Sequence, residues 1–304
     1  MTTVAFVGLG IMGGPMAANL VRAGYDVVGY DRSRPAVDRL VSASGRGADS
    51  MAEAVDGADV VVTMLPDGPD VEAVTLGDDG VYSRVGSGTL HIDCSTITPE
   101  VSVRLAHHGR ERGVAVVDAP VSGGQPGAVQ GTLSVMVGGD VEDVERARPV
   151  LESVGAAVVH VGAEGAGQTV KAANQLIVAG TLELVAESIV FLEAYGVDTS
   201  AAVEVLAGGM AGSAVLDRKS PAMLERRFDP GFRVELHHKD LGIVTSAARE
   251  VGVVLPLGAH VAQLMASLTA QGGGSLDHGA LLLLVEQLSG RRDSDWQITQ
   301  QPAD

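Results

Sequence analysis

The stretch Thr3-Val4-Ala5-Phe6-Val7-Gly8-Leu9-Gly10-Ile11-Met12-Gly13, continuing into GPMAANLVRA at residues 14–23, decides the fold. Residues 3–8 are a short apolar run of strand character, and residues 13–23 carry a helical pattern. Gly8, Gly10 and Gly13 stand between them in the spacing G-x-G-x-x-G. After a strand and before a helix, such glycines let the backbone turn tightly and approach a pyrophosphate, whose charge then lies at the helix N-terminus. Asp31 ends the second predicted strand, close to the roughly 20 residues beyond the glycines where an acidic side chain accepts hydrogen bonds from an adenosine ribose. A plain tight turn would explain the glycines alone. Strand, helix and acid together favour a dinucleotide site made by Gly8, Gly10, Ile11, Met12, Gly13 and Asp31. The Asp31 carboxylate favours NAD, because it would repel a 2′-phosphate, while the adjacent Arg32 could accept one and leaves NADP open.

Outward from this unit, short β-branched runs alternate with helical patterns. Strands are expected at 3–8, 26–31, 59–64, 89–93, 114–118, 133–137 and 157–161, with helices at 13–23, 35–42, 70–76 and 99–112. This βαβ rhythm predicts an α/β, doubly wound, mostly parallel sheet of Rossmann type. The rhythm stops near Gly162. From residue 167 the chain reads as successive helices: a long apolar one to about 194, then 200–206, 220–225, 236–251, 260–271 and 277–288. The expected organisation is a dinucleotide-binding domain over 1–163, an all-α domain over 164–290 joined through the long helix, and a tail over 291–304 that frays.

Composition excludes several function classes. With 304 residues, two domains are expected rather than one. A hydrophobic fraction of 46% against 19% charged residues excludes a disordered chain. The formal charge of -17 argues against non-specific nucleic-acid binding, since no excess of Lys and Arg neutralises phosphates. Cys94 is the one cysteine, which excludes an internal disulfide framework and a thiolate zinc cluster and suggests a reducing compartment. No basic segment precedes the apolar N-terminal run, so no signal peptide is expected, and apolar runs such as 172–182 fall short of the roughly 18 residues of a spanning helix. The expectation is a soluble, cytoplasmic protein that binds neither membrane nor nucleic acid.

Three lysines, Lys171, Lys219 and Lys239, stand among 21 basic residues. Arginine serves wherever a plain positive charge suffices, whereas a desolvated lysine can give and take a proton near neutrality. Lys171 sits early in the long helix after Gly165-Ala166-Gly167, with Asn174 three residues on along the same face. That setting favours a functional lysine over a surface one. For Lys239, an exposed pair with Asp240 and a cofactor contact are equally compatible with the spacing, and Lys219 is expected to be solvated. Asp118-Ala119-Pro120-Val121-Ser122-Gly123-Gly124 offers consecutive backbone N–H groups and a hydroxyl that would suit a carboxylate, or else an ordinary glycine turn. His237, His238 and His278 show no convergent set with carboxylates, so solvated or packing roles are expected and no metal site.

These segments together resemble the β-hydroxyacid dehydrogenase family through nearly the whole chain, from GLGIMG at 8–13 to about residue 288. DAPVSGG at 118–124 resembles its substrate loop, GAGQTVKAANQ at 165–175 its catalytic segment, and KDL at 239–241 its later lysine motif. GTLSVMVGGD at 131–140, GGMAGSAVLD at 208–217, PGFRVELHHKDL at 230–241 and LDHGAL at 276–281 resemble its tartronate semialdehyde (2-hydroxy-3-oxopropionate) reductase branch; 3-hydroxyisobutyrate dehydrogenase is the alternative. By that resemblance Lys171 is the catalytic general acid/base, Ser122, Gly123, Gly124 and Asn174 hold the substrate, and Thr96 and Lys239 contact NAD or NADP. The implied substrate is a small carboxylate-bearing aldehyde or hydroxy acid, the implied role of 164–290 that of a substrate and oligomerisation domain, and the implied assembly a homo-dimer or homo-tetramer. Gly14 and Arg32 depart from the family's cofactor loop. An imine reductase and a non-catalytic NAD(P)-binding module are the rivals of similar architecture; Lys171 with Asn174 argues against the module, and imine reductases usually replace the lysine.

Overall fold

The computed structural model describes residues 1–291. The chain divides into two compact units, Met1–Lys171 and a second beginning at Ala172; the tail expected to fray lies, from residue 292 on, outside the described residues.

The first unit runs β1 (Thr3–Val7), α1 (Gly13–Arg22), β2 (Asp26–Tyr30), α2 (Arg34–Ser42), β3 (Arg46–Gly47), α3 (Met51–Val55), β4 (Val60–Thr63), α4 (Gly68–Leu76) and α5 (Val81–Arg84). It continues through β5 (Leu90–Asp93), α6 (Pro99–Glu111), β6 (Ala115–Asp118), β7 (Val121–Ser122), α7 (Gly124–Gln130), β8 (Leu133–Gly138), α8 (Val141–Glu152) and β9 (Gly155–Gly162) to α9 (Ala166–Ala194). The sheet order is β3-β2-β1-β4-β5-β6-β8-β7, with β9 on β8. β1 to β6 pair in parallel, and β8 turns antiparallel to β6. The chain lays β2 on one side of β1 and β4 on the other, so the order reverses between β1 and β4, the place where such sheets take ligands beyond their strand C-termini.

Both faces of the parallel strands are buried, which is why they read as continuous apolar runs. Val4 and Phe6 of β1 and Val60 and Val62 of β4 enter one core layer; Ala5, Val7 and Val61 enter the other. Every expected strand and helix in this unit is present within a residue or two. Helix α8, which the periodicity did not single out, buries Val144, Ala147, Val150 and Leu151 at helical spacing with Pro149 inside it. The dipeptide strand β7 pairs with β8 through Val121↔Val135 and Ser122↔Ser134, so the expected loop begins as an edge of the sheet.

The second unit holds the remainder of α9, then α10 (Thr199–Ala207), α11 (Ala214–Leu224), α12 (Val234–Glu250), α13 (Pro256–Ala270), short 3-10 turns at Gly273–Ser275 and His278–Ala280, and α14 (Leu281–Leu288). Its core gathers Leu182, Ala186 and Ile189 of α9 with Val234, Leu241, Met265 and Leu281. Taken whole, α9 is longer and more apolar than the run at 172–182 suggested: its best 18-residue window has a mean hydropathy of 1.7, with half of it buried inside the protein. By length and composition alone it passes for a membrane span, and so does the core helix of a folded domain.

Candidate active site

The glycine loop departs from β1 with a separate steric demand at each glycine. Gly8 has φ +97°, and a Cβ there would lie 2.3 Å from the Met64 carbonyl at the end of β4. At Gly13 a Cβ would meet the Gly8 carbonyl at 1.9 Å, so α1 seats on the strand end only without a side chain. Gly10 has nothing within 4 Å of that position. Two glycines thus serve the turn and the packing, and the third keeps backbone exposed where a ligand would approach. Helix α1 starts with no side-chain cap and no acid in its first turn, which leaves its positive end for an anion. Ile11 is half exposed in this loop.

Asp31 lies just past β2, and its carboxylate already holds backbone. Oδ2 accepts from Leu9 N at 2.7 Å and Oδ1 from Ser33 N at 2.7 Å. The acid expected at the ribose therefore also braces the glycine loop; each carboxylate oxygen has a further lone pair. Arg32 beside it is exposed.

The ends of β5 and β6 are tied together by the first turns of α9. Asp118, at the end of β6, accepts from Gly165 N at 2.8 Å and from Gln168 N at 2.9 Å, which satisfies orphan donors at the helix start. Burial pushes the Asp118 carboxyl above its ordinary range, and the two backbone donors oppose part of that rise. A Cβ on Gly167 would lie 2.4 Å from the Met136 carbonyl and 2.6 Å from Asp118 Oδ2, so only glycine lets the helix approach this closely. Gln168 then grips the turn containing Thr96: Nε2 donates to the Ser95 carbonyl at 2.8 Å, and Oε1 accepts from Ile97 N at 3.2 Å. Neither Asp118 nor Gln168 was singled out from the sequence as a site residue. A carboxylate ending a central strand, and an amide one turn before the lysine, were the available signals.

Lys171 is buried at 7% exposure one turn further along α9. Its Nζ donates to the Val121 carbonyl at 2.8 Å, one residue before Ser122. Gly123 and Gly124 follow with φ +142° and +63°, conformations that side-chain-bearing residues rarely adopt, and α7 starts at Gly124. The structure thus brings Lys171 and the Ser122–Gly124 segment together, and Thr96 stands in the turn held by Gln168, one helical turn before Lys171.

In the second unit Asn174 Nδ2 donates to Gln175 Oε1 at 2.8 Å, and Gln175 Nε2 donates to Asp240 Oδ2 at 2.5 Å. Lys239 does pair with its neighbour Asp240, Nζ to Oδ1 at 3.0 Å, but that aspartate is buried rather than exposed. Lys219, expected in solvent, instead donates to both carboxylate oxygens of Asp277 at 2.9 and 2.8 Å. Asp277 also accepts from Gly231 N, Phe232 N and Gly279 N, so a buried acid drew the lysine in. His237 and His278 are buried with their Nδ1 atoms 2.9 Å apart and Phe232 packed against both rings. These two histidines pack, as one of the two expected roles has it. Among the described residues no group of three or more His, Cys, Asp or Glu is placed to hold a metal.

Two family models match the chain: the NAD binding domain of 6-phosphogluconate dehydrogenase over residues 3–162, and the NAD-binding domain of NADP-dependent 3-hydroxyisobutyrate dehydrogenase over 165–285. The chain is 38% identical to 2-hydroxy-3-oxopropionate reductase of Escherichia coli over 95% of its own length and 99% of that protein's. It is 42% identical to 3-hydroxyisobutyrate dehydrogenase of Pseudomonas aeruginosa, covering 89% of this chain and 93% of the relative. Among solved structures, 3-hydroxyisobutyrate dehydrogenase of Mycobacterium tuberculosis with L-serine superposes with a TM-score of 0.83 at 37% identity, over 93% of this chain and 98% of that one.

Proposed function

Because the chain belongs to the β-hydroxyacid dehydrogenase family, an NAD(P)-dependent group of oxidoreductases, we propose that it interconverts a small β-hydroxy acid and its aldehyde. Our first choice of reaction is the reduction of tartronate semialdehyde (2-hydroxy-3-oxopropionate) to glycerate. The observation that carries this reading is the buried Lys171, with Nζ on the Val121 carbonyl beside Ser122, Gly123 and Gly124.

The residues present fit a dinucleotide: Gly10 stands open, α1 begins uncapped, and Asp31 has lone pairs to offer ribose hydroxyls. Gly8, Gly10, Ile11, Met12, Gly13, Asp31, Arg32, Thr96 and Lys239 are the residues we assign to it. When bound, the nicotinamide supplies the hydride for the aldehyde carbon or takes it from the alcohol. Ser122, Gly123, Gly124 and Asn174 are assigned to the substrate, its carboxylate meeting the backbone N–H groups and hydroxyl of the first three. Lys171 acts at the reacting oxygen. As an ammonium it stabilises the developing negative charge and donates a proton; as a neutral amine it removes the hydroxyl proton in the reverse direction. An ammonium has three N–H donors, and the Val121 carbonyl orients it through one of them.

Within the family, 3-hydroxyisobutyrate oxidation is the second reading, supported by the likeness to the Pseudomonas aeruginosa enzyme. The branch motifs at 208–217, 230–241 and 276–281 favour the reductase. A comparison of kcat/KM for tartronate semialdehyde and methylmalonate semialdehyde, with NADH and NADPH, decides. A preference for the methyl-bearing substrate moves the protein to the second reading with the role of Lys171 intact. A site built to bind the C2 hydroxyl rejects the methyl analogue strongly, whereas an apolar one separates the two by only about 10- to 200-fold. This proposal includes a cytoplasmic homo-dimer or homo-tetramer. The exposed Ile177, Leu184 and Phe191 along α9, with Tyr195 just past its end, support the oligomer, and light scattering measures it.

A further inference from the structure

Asn174 lies only partly buried on α9, and a carboxamide has two chemically opposite edges that a half-turn about one bond exchanges. What settles its orientation stands two hydrogen bonds away. Asp240 is 3% exposed and paired with the Lys239 ammonium, so its carboxylate is an acceptor. Gln175 must therefore turn its NH2 edge to Asp240 Oδ2, at 2.5 Å, which leaves Gln175 Oε1 as an acceptor. That oxygen can be met only by a donor, so Asn174 turns Nδ2 toward it, at 2.8 Å. The Oδ1 edge of Asn174 then faces the other way. Gln175 is held at its backbone as well: its carbonyl lies 3.4 Å from His237 Nε2, and Gln175 itself is buried.

We propose that Gln175, anchored by Asp240, is a positioning residue that sets the orientation of the Asn174 carboxamide toward the substrate. Through the same aspartate it links Asn174 to Lys239. This inference rests on the proposed role of Asn174 in holding the hydroxy acid. Neither Gln175 nor Asp240 is asked to touch the substrate. The chain of donors has one polarity from end to end, set by the charge of Asp240, and reversing any link strands a buried donor or acceptor.

The test is a double-mutant cycle on the full-length enzyme, using Gln175→Met, which keeps length and packing, Asn174→Ala, and both together. Kinetics with the best semialdehyde substrate and NADH or NADPH affinity by fluorescence are measured on each. Gln175→Met should lower kcat/KM by about 10-fold, the scale of one lost hydrogen bond, mainly through KM and with cofactor affinity within about twofold. In the Asn174→Ala background the same change should cost less than about twofold, because no carboxamide is left to orient. If Gln175→Met does not accumulate as folded protein, Asp240→Asn keeps the size but no longer dictates which edge of Gln175 donates, and it enters the same cycle in place of Gln175→Met. Equal losses in both backgrounds, or no loss in the wild-type background, overturn the inference and leave the proposed reaction standing. Absence of turnover on any semialdehyde by the wild type overturns both.

Discussion

Lys171 Nζ donates a 2.8 Å hydrogen bond to the carbonyl of Val121, a residue 50 positions earlier in the chain. The bond joins the first turns of α9 to the short strand β7, and it sets the one lysine of the first unit beside the paired glycines at Gly123 and Gly124. Everything proposed about the reaction depends on that placement.

Replacing the amine should abolish proton transfer without disturbing the dinucleotide loop. Lys171→Ala is expected to lower kcat by roughly 100-fold or more, with cofactor affinity nearly unchanged. Lys171→Arg should fail almost as badly, since guanidinium keeps its proton. Steady-state kinetics at saturating substrate check this, and near wild-type turnover in either variant would remove Lys171 from the chemistry.

Asp31 has two duties, which its variants separate. Asp31→Ser should weaken NADH binding and raise the relative use of NADPH, with Arg32 then available to a 2′-phosphate. Because Oδ2 also holds Leu9 N, the same variant should loosen the glycine loop and weaken both cofactors to some degree. Asp31→Asn, which keeps an accepting oxygen, should retain more affinity than Asp31→Ser. Fluorescence titration with each reduced cofactor gives the comparison; a wild type that prefers NADPH tenfold or more would put Arg32 in control.

Gln168 is buried, and both ends of its amide are engaged around Thr96. Gln168→Met should leave the Ser95 carbonyl and Ile97 N–H without that partner, a loss of about 1–3 kcal/mol for a stranded buried group. The expected outcome is a lowered melting temperature together with weaker cofactor binding, through the displaced Thr96 turn. Differential scanning calorimetry with and without NAD(H) measures both, and a variant that melts and binds like the wild type would show the grip to be dispensable.

Glu183 in the middle of α9 is buried at 3% exposure, and burial, with Glu187 one turn away, raises its carboxyl to a pKa of about 7. A folded-state value above the unfolded one means that the native protein holds the proton more tightly. The stabilisation is complete below about pH 4.5 and is lost as pH rises through about 7. Glu183→Gln, neutral at every pH, should match the wild type near pH 4.5 and exceed it in melting temperature at pH 8. Parallel melting curves across that range would exclude this acid as the source of the pH dependence.

Local chemistry made much of this molecule legible in one dimension. The strands β1, β2, β4, β5 and β6 are apolar because both faces of a parallel sheet are covered, and the glycine spacing between β1 and α1 follows from backbone sterics within a few residues. Lys171 was conspicuous because lysine is scarce in this chain and its chemistry differs from that of arginine. Such signals need no knowledge of distant partners.

What the tertiary structure alone decided are the contacts between residues far apart in sequence. Asp118 reads as one more acid at a strand end until α9 arrives to donate Gly165 N and Gln168 N to it. Lys219 reads as a solvated charge until Asp277, 58 residues later, folds back beneath it. Gln175 is an unremarked amide until Asp240 fixes which of its edges donates. The sequence determined the periodicities and residue types that make the sheet, the helices and the reactive amine. Burial decided the rest, because a polar group removed from water must find a partner, and which partner it finds depends on how the chain packs.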